Sequence, residues 1–196
     1  MKVVPKRVDH RVRRRQITDA VCRITVKGGL AAATFREVAA EAGVSVRLVQ
    51  YYFGTKDELL LVTQRHVAER ATTRTMQVIA AADDTPRAGL RAVLGSFIPT
   101  DDASRETMIM FVALHTAALV DPTLARDETR EVPEALHRAV RTRLEQAELR
   151  RGVDAEMEAT MLVSAVPSLA QSVLDHMITP EHAFEVLDYA LDRALA

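Results

Sequence analysis

Residues 34–58 read TFREVAAEAGVSVRLVQYYFGTKDE, and the fold is decided here. Thr34 and Glu37 have the spacing of a capping box, in which the hydroxyl takes the Glu37 amide and the carboxylate reaches back to Thr34. A short helix follows with Val38, Ala39 and Ala42 facing inward, and Gly43 stops it. Ser45 caps another short helix running to about Tyr52. Gly54-Thr55 breaks that helix, and Thr55 with Glu58 opens a long one from Lys56 to about Ala82. Two short helices joined by a tight turn containing Gly make a helix-turn-helix. The second of them interleaves Arg47, Gln50 and Tyr51 with Val46 and Val49. Such a helix suits a groove reader: Arg and Gln make bidentate contacts to base edges, while tyrosine hydroxyls and helix N-termini hold phosphates. On an exposed helix without a nucleic acid the same residues would be merely solvated.

Working outward, an earlier helix is predicted from about Asp9 to Lys27, with Ile17, Ala20, Val21 and Ile24 on one face and Gly28-Gly29 ending it. Downstream the pattern is helical throughout. Pro86 starts a helix that ends near Ile98, before Pro99. Ser104–Val120 is the next. Residues 123–150 are long and charged, and Pro133 suggests two pieces. Asp154 caps a strongly apolar helix to about Ile178, in which Pro167 predicts a kink or bulge, and Thr179-Pro180-Glu181 starts the last, to about Leu195. The reading is all-α: an N-terminal three-helix helix-turn-helix domain over 1–56, then a larger helical domain over 57–196, about nine helices and no strand.

Composition agrees. The chain has 196 residues, 48% apolar and 27% charged, with seven Gly, seven Pro and no Trp, which disfavours disorder and an all-β fold. Its net charge of −1 conceals a division. Residues 1–56 carry 12 Lys+Arg against 4 Asp+Glu, a net of +8, and residues 57–196 carry 14 against 23, a net of −9. Such a chain has a head that meets a polyanion and a body that does not. No apolar run approaches the length of a membrane span, and the basic N-terminus leads into no apolar signal segment, so no membrane and a cytoplasmic location are expected. One cysteine, Cys22, allows no intramolecular disulfide and reads as a core position rather than a redox sensor.

At residues 14–60 the sequence resembles the TetR family of transcriptional repressors. The residues that carry the resemblance are Arg14, Ile17, Ala20, Gly29, Thr34, Val38-Ala39, Ala42-Gly43-Val44-Ser45, Tyr52-Phe53, Lys56 and Leu59-Leu60. The C-terminal segment from Thr179-Pro180-Glu181 to Leu195 is similar to the BetI-type branch. The resemblance implies that Thr34 and Arg36 meet the DNA backbone at the start of the second helix, together with the helix start at Ser45. It implies that Val46, Arg47 and Gln50 face bases, that Tyr51 and Tyr52 face phosphates, and that Lys56 meets a phosphate. Arg47 stands where a small residue is frequent in the family and Gln50 where Tyr is frequent. Val46 reads at most a thymine methyl. For Tyr52 a mixed role is expected, ring packed and hydroxyl outward; Phe53 reads as core. Arg11, Arg13, Arg14 and Arg15 read either as an arm along the minor groove or as a frayed basic tail.

The family also implies a palindromic operator in double-stranded DNA, a homodimer through the last two helices and a small-molecule effector that releases the repressor. Met157, Met161, Leu162, Val166, Leu169, Val173 and Leu174 on one of those helices, and Phe184, Leu187, Leu191 and Leu195 on the other, are more than one chain's core is expected to hide. An effector pocket is expected at Phe97, Met108, Phe111 and His115, with Met110 nearby. A Met and Phe stripe at this spacing is more often the mark of plain core, and His115 on an apolar face more often a core histidine. The six histidines are scattered without metal-ligand spacing, and no HExxH, Walker or GxSxG pattern occurs. No metal, no cofactor and no catalysis are expected.

Overall fold

The computed structural model describes residues 10–121 and 128–196, and contains nine α-helices and no strand among them. In chain order they are α1 (His10–Gly28), α2 (Phe35–Glu41), α3 (Val46–Phe53), α4 (Lys56–Ala80), α5 (Pro86–Gly95), α6 (Asp102–Val120), α7 (Glu128–Glu145), α8 (Ala155–Leu174) and α9 (Pro180–Ala194). They form two compact units. The first takes the described chain to Val67 and the part of α6 from Met110 onward; the second takes Ala68–Ile109 and the described residues from α7 on. The division thus falls inside α4, not at its start.

The core of the first unit gathers Ile17 and Val21 of α1, Val38 of α2, Val49 and Phe53 of α3, Leu59 and Leu61 of α4, and Met110 and Leu114 of α6. Each such side chain contributes about 1.5–3 kcal/mol by leaving water. Cys22 is buried among them, as a core residue would be. His66 of α4, nearly buried, places Nε2 2.7 Å from the Asp19 carboxylate of α1, tying the long helix to the first.

The second core gathers Leu90 and Leu94 of α5, Val140 and Leu144 of α7, Leu162 and Val166 of α8, and Leu187 and Leu191 of α9. Arg87 and Arg91 of α5 reach Asp192 and Asp188 of α9 at 2.6 and 2.8 Å. Arg91 also lies over the Phe184 ring, 4.7 Å from its centroid. Gly95 ends α5 against that ring: a Cβ there would stand 2.5 Å from Phe184 Cε1.

Several elements differ from the sequence reading, and α5 ends at Gly95, three residues before Ile98. α6 begins at Asp102 rather than Ser104 because Asp101 is its cap: the Asp101 carboxylate accepts the Ser104 amide at 2.7 Å and the Ser104 hydroxyl accepts the Asp101 amide at 3.1 Å. α7 continues through Pro133, which falls in its second turn, where only one backbone bond is lost; residues 123–127 of the predicted segment lie outside the described ones. α8 likewise runs unbroken through Pro167 and ends at Leu174, four residues early. There His176 takes a left-handed φ of 58°, its amide meeting the Val173 carbonyl while the Met177 amide meets that of Ser172. That is a helix ending usually marked by Gly; here no glycine announces it.

Candidate nucleic-acid interface

The recognition candidate, α3, owes its start to Ser45, whose hydroxyl accepts the Leu48 amide at 3.2 Å, and its end to Gly54 at φ 65°. Gly43, at φ 63°, makes the turn that joins it to α2. Val49 and Phe53 are buried, and helical geometry places Arg47 and Tyr51 across the helix from them; Tyr51 is 73% exposed, Val46 38%, and Arg47 and Gln50 are exposed.

Each neighbouring helix contributes a capped N-terminus. Thr34 accepts the Glu37 amide at 3.2 Å and Thr55 accepts the Glu58 amide at 3.2 Å. Only half of the predicted capping box forms at Thr34. A 3-10 turn at Leu30–Ala32 brings the Ala32 carbonyl to the Thr34 amide at 2.8 Å, and the Glu37 carboxylate accepts Arg36 Nε at 3.4 Å instead of reaching back. Arg36, Arg47 and Lys56 each lie in the first turn of their helix (α2, α3 and α4), and all three are exposed. The positive end of the helix dipole disfavours a cation there. Of the three, α3 alone has a first turn with a cation and no acid; Glu37 shares the first turn of α2, and Asp57 and Glu58 that of α4.

Tyr52 is half-buried and packs edge-on against Tyr51 at 5.5 Å and His10 at 5.6 Å, and tilted on Phe53 at 6.3 Å. Its ring belongs to the packing. Arg11, Arg13, Arg14 and Arg15 are neither an extended arm nor frayed: all four are helical residues of α1, and Arg14 lies over the Phe53 ring at 5.4 Å. The sequence reading missed Gln16, whose amide donates to the Ala42 carbonyl at 2.7 Å. Nothing local marks a contact that joins residues 26 apart.

The four pocket candidates are divided. Phe97 is half-buried against the second core, and Met108 is buried in the same unit; Phe111 is half-buried against the first core, and His115, of that unit, is exposed. Met110 is fully buried core of the first unit. A cavity of about 410 Å³ lies elsewhere, between α8 and α9, floored by the small residues Ala165, Ser168, Ser172 and Ala190 beside Leu169 and Val186. Along the same helices Leu162, Val166, Val173, Leu174, Leu187, Leu191 and Leu195 are buried within the chain itself, and Phe184 is half-buried against the same core. The expectation that one chain's core would not hide both faces is therefore corrected: α5 and α7 cover most of them. What remains outward is Met157, Met161, Val186 and Tyr189, 68%, 61%, 37% and 64% exposed, with half-buried Leu169. Among the described residues no group of three His, Cys, Asp or Glu is placed to hold a metal, and no helix is long and apolar enough to cross a membrane.

Two family models match the chain: "Bacterial regulatory proteins, tetR family" over residues 17–63, and "BetI-type transcriptional repressor, C-terminal" over residues 86–196. The chain is 37% identical over 123 residues to the HTH-type transcriptional regulator BetI of Burkholderia thailandensis, covering 63% of either chain, somewhat under two thirds of that relative's length. It is 29% identical over 167 residues to the HTH-type transcriptional regulator PksA of Bacillus subtilis, covering 85% of this chain and 81% of that one. Among solved structures, a transcriptional regulator of Rhodococcus sp. superposes with a TM-score of 0.81 at 26% identity, over 91% of this chain and 94% of that one.

Proposed function

The chain belongs to the TetR family of bacterial regulatory proteins, with a C-terminal domain of the BetI type, and from that premise we propose that it is a ligand-released repressor that binds a palindromic operator as a homodimer. Members of the family and the relatives above are transcriptional regulators, not enzymes. One observation carries the reading: Arg36, Arg47 and Lys56, each in the first turn of its helix, and Val46, Gln50 and Tyr51 of α3 are all exposed on one compact unit. In this reading Thr34, Ser45, Tyr51, Tyr52, Arg36 and Lys56 hold phosphates. Arg47 and Gln50 read base edges, and Val46 touches a thymine methyl. Residues 1–56 carry the DNA contacts and 57–196 the effector and dimerisation functions, although the first compact unit reaches on to Val67 and takes in α6 from Met110.

The homodimer closes through α8 and α9. Met157, Met161, Val186 and Tyr189 form the outward apolar set, and the 410 Å³ groove with its small-residue floor gives a second copy room to approach closely. A two-fold axis then repeats each head, and two heads match two half-sites about 34–36 Å apart. The effector is a small molecule that binds the body, with Phe97 and Met108 of the second unit as its candidate contacts. It favours a conformer in which α4 holds the heads at the wrong separation, and it shifts the equilibrium only by its differential affinity for the two conformers.

The deciding experiment selects fragments bound by the purified protein from genomic DNA of its source organism. Enrichment of a short palindrome supports the reading, and the genes beside it narrow the effector's chemical class. No enrichment at low salt, from protein shown by mass spectrometry to carry no co-purified ligand, overturns it.

A further inference from the structure

Ala42 closes α2 and opens the turn whose last residue, Ser45, caps α3. A carbonyl at a helix C-terminus has no partner inside the helix, and here the side chain of Gln16 on α1 supplies one, Nε2 donating to the Ala42 oxygen at 2.7 Å. The other end of the same amide is also used: Oε1 accepts Arg13 Nη1 at 2.7 Å. Both side chains are half-buried. The result is a relay of two short hydrogen bonds from Arg13 through Gln16 to the backbone that sets the start of α3.

Arg13 spends one of its five N–H groups on Gln16, and no carboxylate among the described residues claims the rest. Arg23 and Arg36 of the same unit, by contrast, pair with Glu41 and Glu37. A half-buried arginine with one side-chain acceptor and no carboxylate has given up part of its hydration without full replacement. It has also already lost much of its side-chain freedom to Gln16, so an anion that binds it meets less of the ordering cost.

We propose that Arg13 is a further backbone-phosphate contact of the DNA-bound head and that Gln16 is its positioning residue, holding the guanidinium in register with the turn that starts α3. The inference rests on the regulator reading above. The ligand is a phosphodiester of duplex DNA, so the contact is blind to sequence and its loss is felt on operator and unrelated duplex alike.

The test is a salt titration of binding by the full chain to its selected operator and to an unrelated duplex, for wild type, Arg13→Met, Gln16→Met and the double variant. Arg13→Met is expected to weaken both duplexes several-fold and to lower the slope of log affinity against log salt by about 0.9, one phosphate's worth. Gln16→Met is expected to lower the slope in the same direction although it touches no DNA, and the double variant to be no worse than the weaker single one. Arg13→Met removes only the outer member of the relay, so it reports even where Gln16→Met lowers the melting temperature. Wild-type binding with an unchanged slope in Arg13→Met overturns the phosphate contact. Full additivity of the two single losses overturns the positioning role. A wild-type chain that binds neither duplex overturns the regulator reading itself, and this inference with it.

Discussion

Lys56 is the first residue of α4 and exposed, and although Asp57 and Glu58 follow it in the first turn, its ammonium forms no ion pair with a carboxylate among the described residues. In the regulator reading a phosphate is its partner. Lys56→Ala is therefore expected to weaken every duplex alike and to lower the salt slope by about 0.9; an unchanged slope in the same titration would remove Lys56 from the contact surface. Arg47 and Gln50 have a different task. Both project from the same face of α3, and each is expected to discriminate one base pair, so Arg47→Ala or Gln50→Ala should relax preference there by about 1–3 kcal/mol. Competition binding across a single-substitution operator series checks this: a variant with the parent's profile at every position makes no base contact through that residue.

Between elements, α5 and α9 approach as closely as they do because residue 95 has no side chain. A Cβ at that position would stand 2.5 Å from a Phe184 ring edge that Arg91 pins from its face. Gly95→Ala should destabilise the second unit by about 1–3 kcal/mol through overpacking, visible as a lower melting temperature. Phe184→Leu in the same chain should recover part of the loss, and a neutral Gly95→Ala would show that the ring has room to swing. A second inter-element tie links α4 to the loop before α6. The Arg74 guanidinium meets the Asp101 carboxylate at 2.9 and 3.1 Å, and with the Ser104 hydroxyl and amide it holds that carboxyl well below the usual carboxylate range. A depressed folded value stabilises the chain above the ordinary carboxylate range and is lost as pH falls through the folded value. Asp101→Asn should accordingly lower the melting temperature at neutral pH, with the gap to wild type constant above about pH 5 and closing below about pH 4. Half of the Asp101 side chain is exposed, so the gap should be small. A gap independent of pH would place the effect of the substitution in the cap alone.

For the whole molecule, a dimer through α8 and α9 makes a prediction that links assembly to DNA binding. Met161 and Tyr189 are outward on those helices, and a charge at Met161 would be desolvated without a partner in the closed dimer. Met161→Glu is expected to leave the helical content intact, to yield a monomer in sedimentation, and to lower operator affinity because two half-sites are no longer gripped together. A variant that remains dimeric with unchanged affinity would move the interface away from these helices.

The head was legible because its signals are local. Thr34, Ser45 and Thr55 each act on an amide three residues ahead, and Gly43 and Gly54 each act on their own backbone, so a stretch of 25 residues contains both cause and effect. The sequence likewise determined the outward face of α3, since burying Val49 and Phe53 at helical spacing turns Arg47 and Tyr51 to the far side. Gln16 was illegible because its acceptor lies 26 residues away and is a backbone oxygen, for which any residue type would serve. The end of α8 was misjudged because His176 adopts the left-handed turn without a glycine to signal it. Tertiary structure alone decided which apolar residues of α8 and α9 are core and which are surface. Periodicity shows that a helix has an apolar face, but how much of that face is covered depends on where α5 and α7 come to rest. Their position is set by packing between segments far apart in the chain, with no spacing that a single helix records.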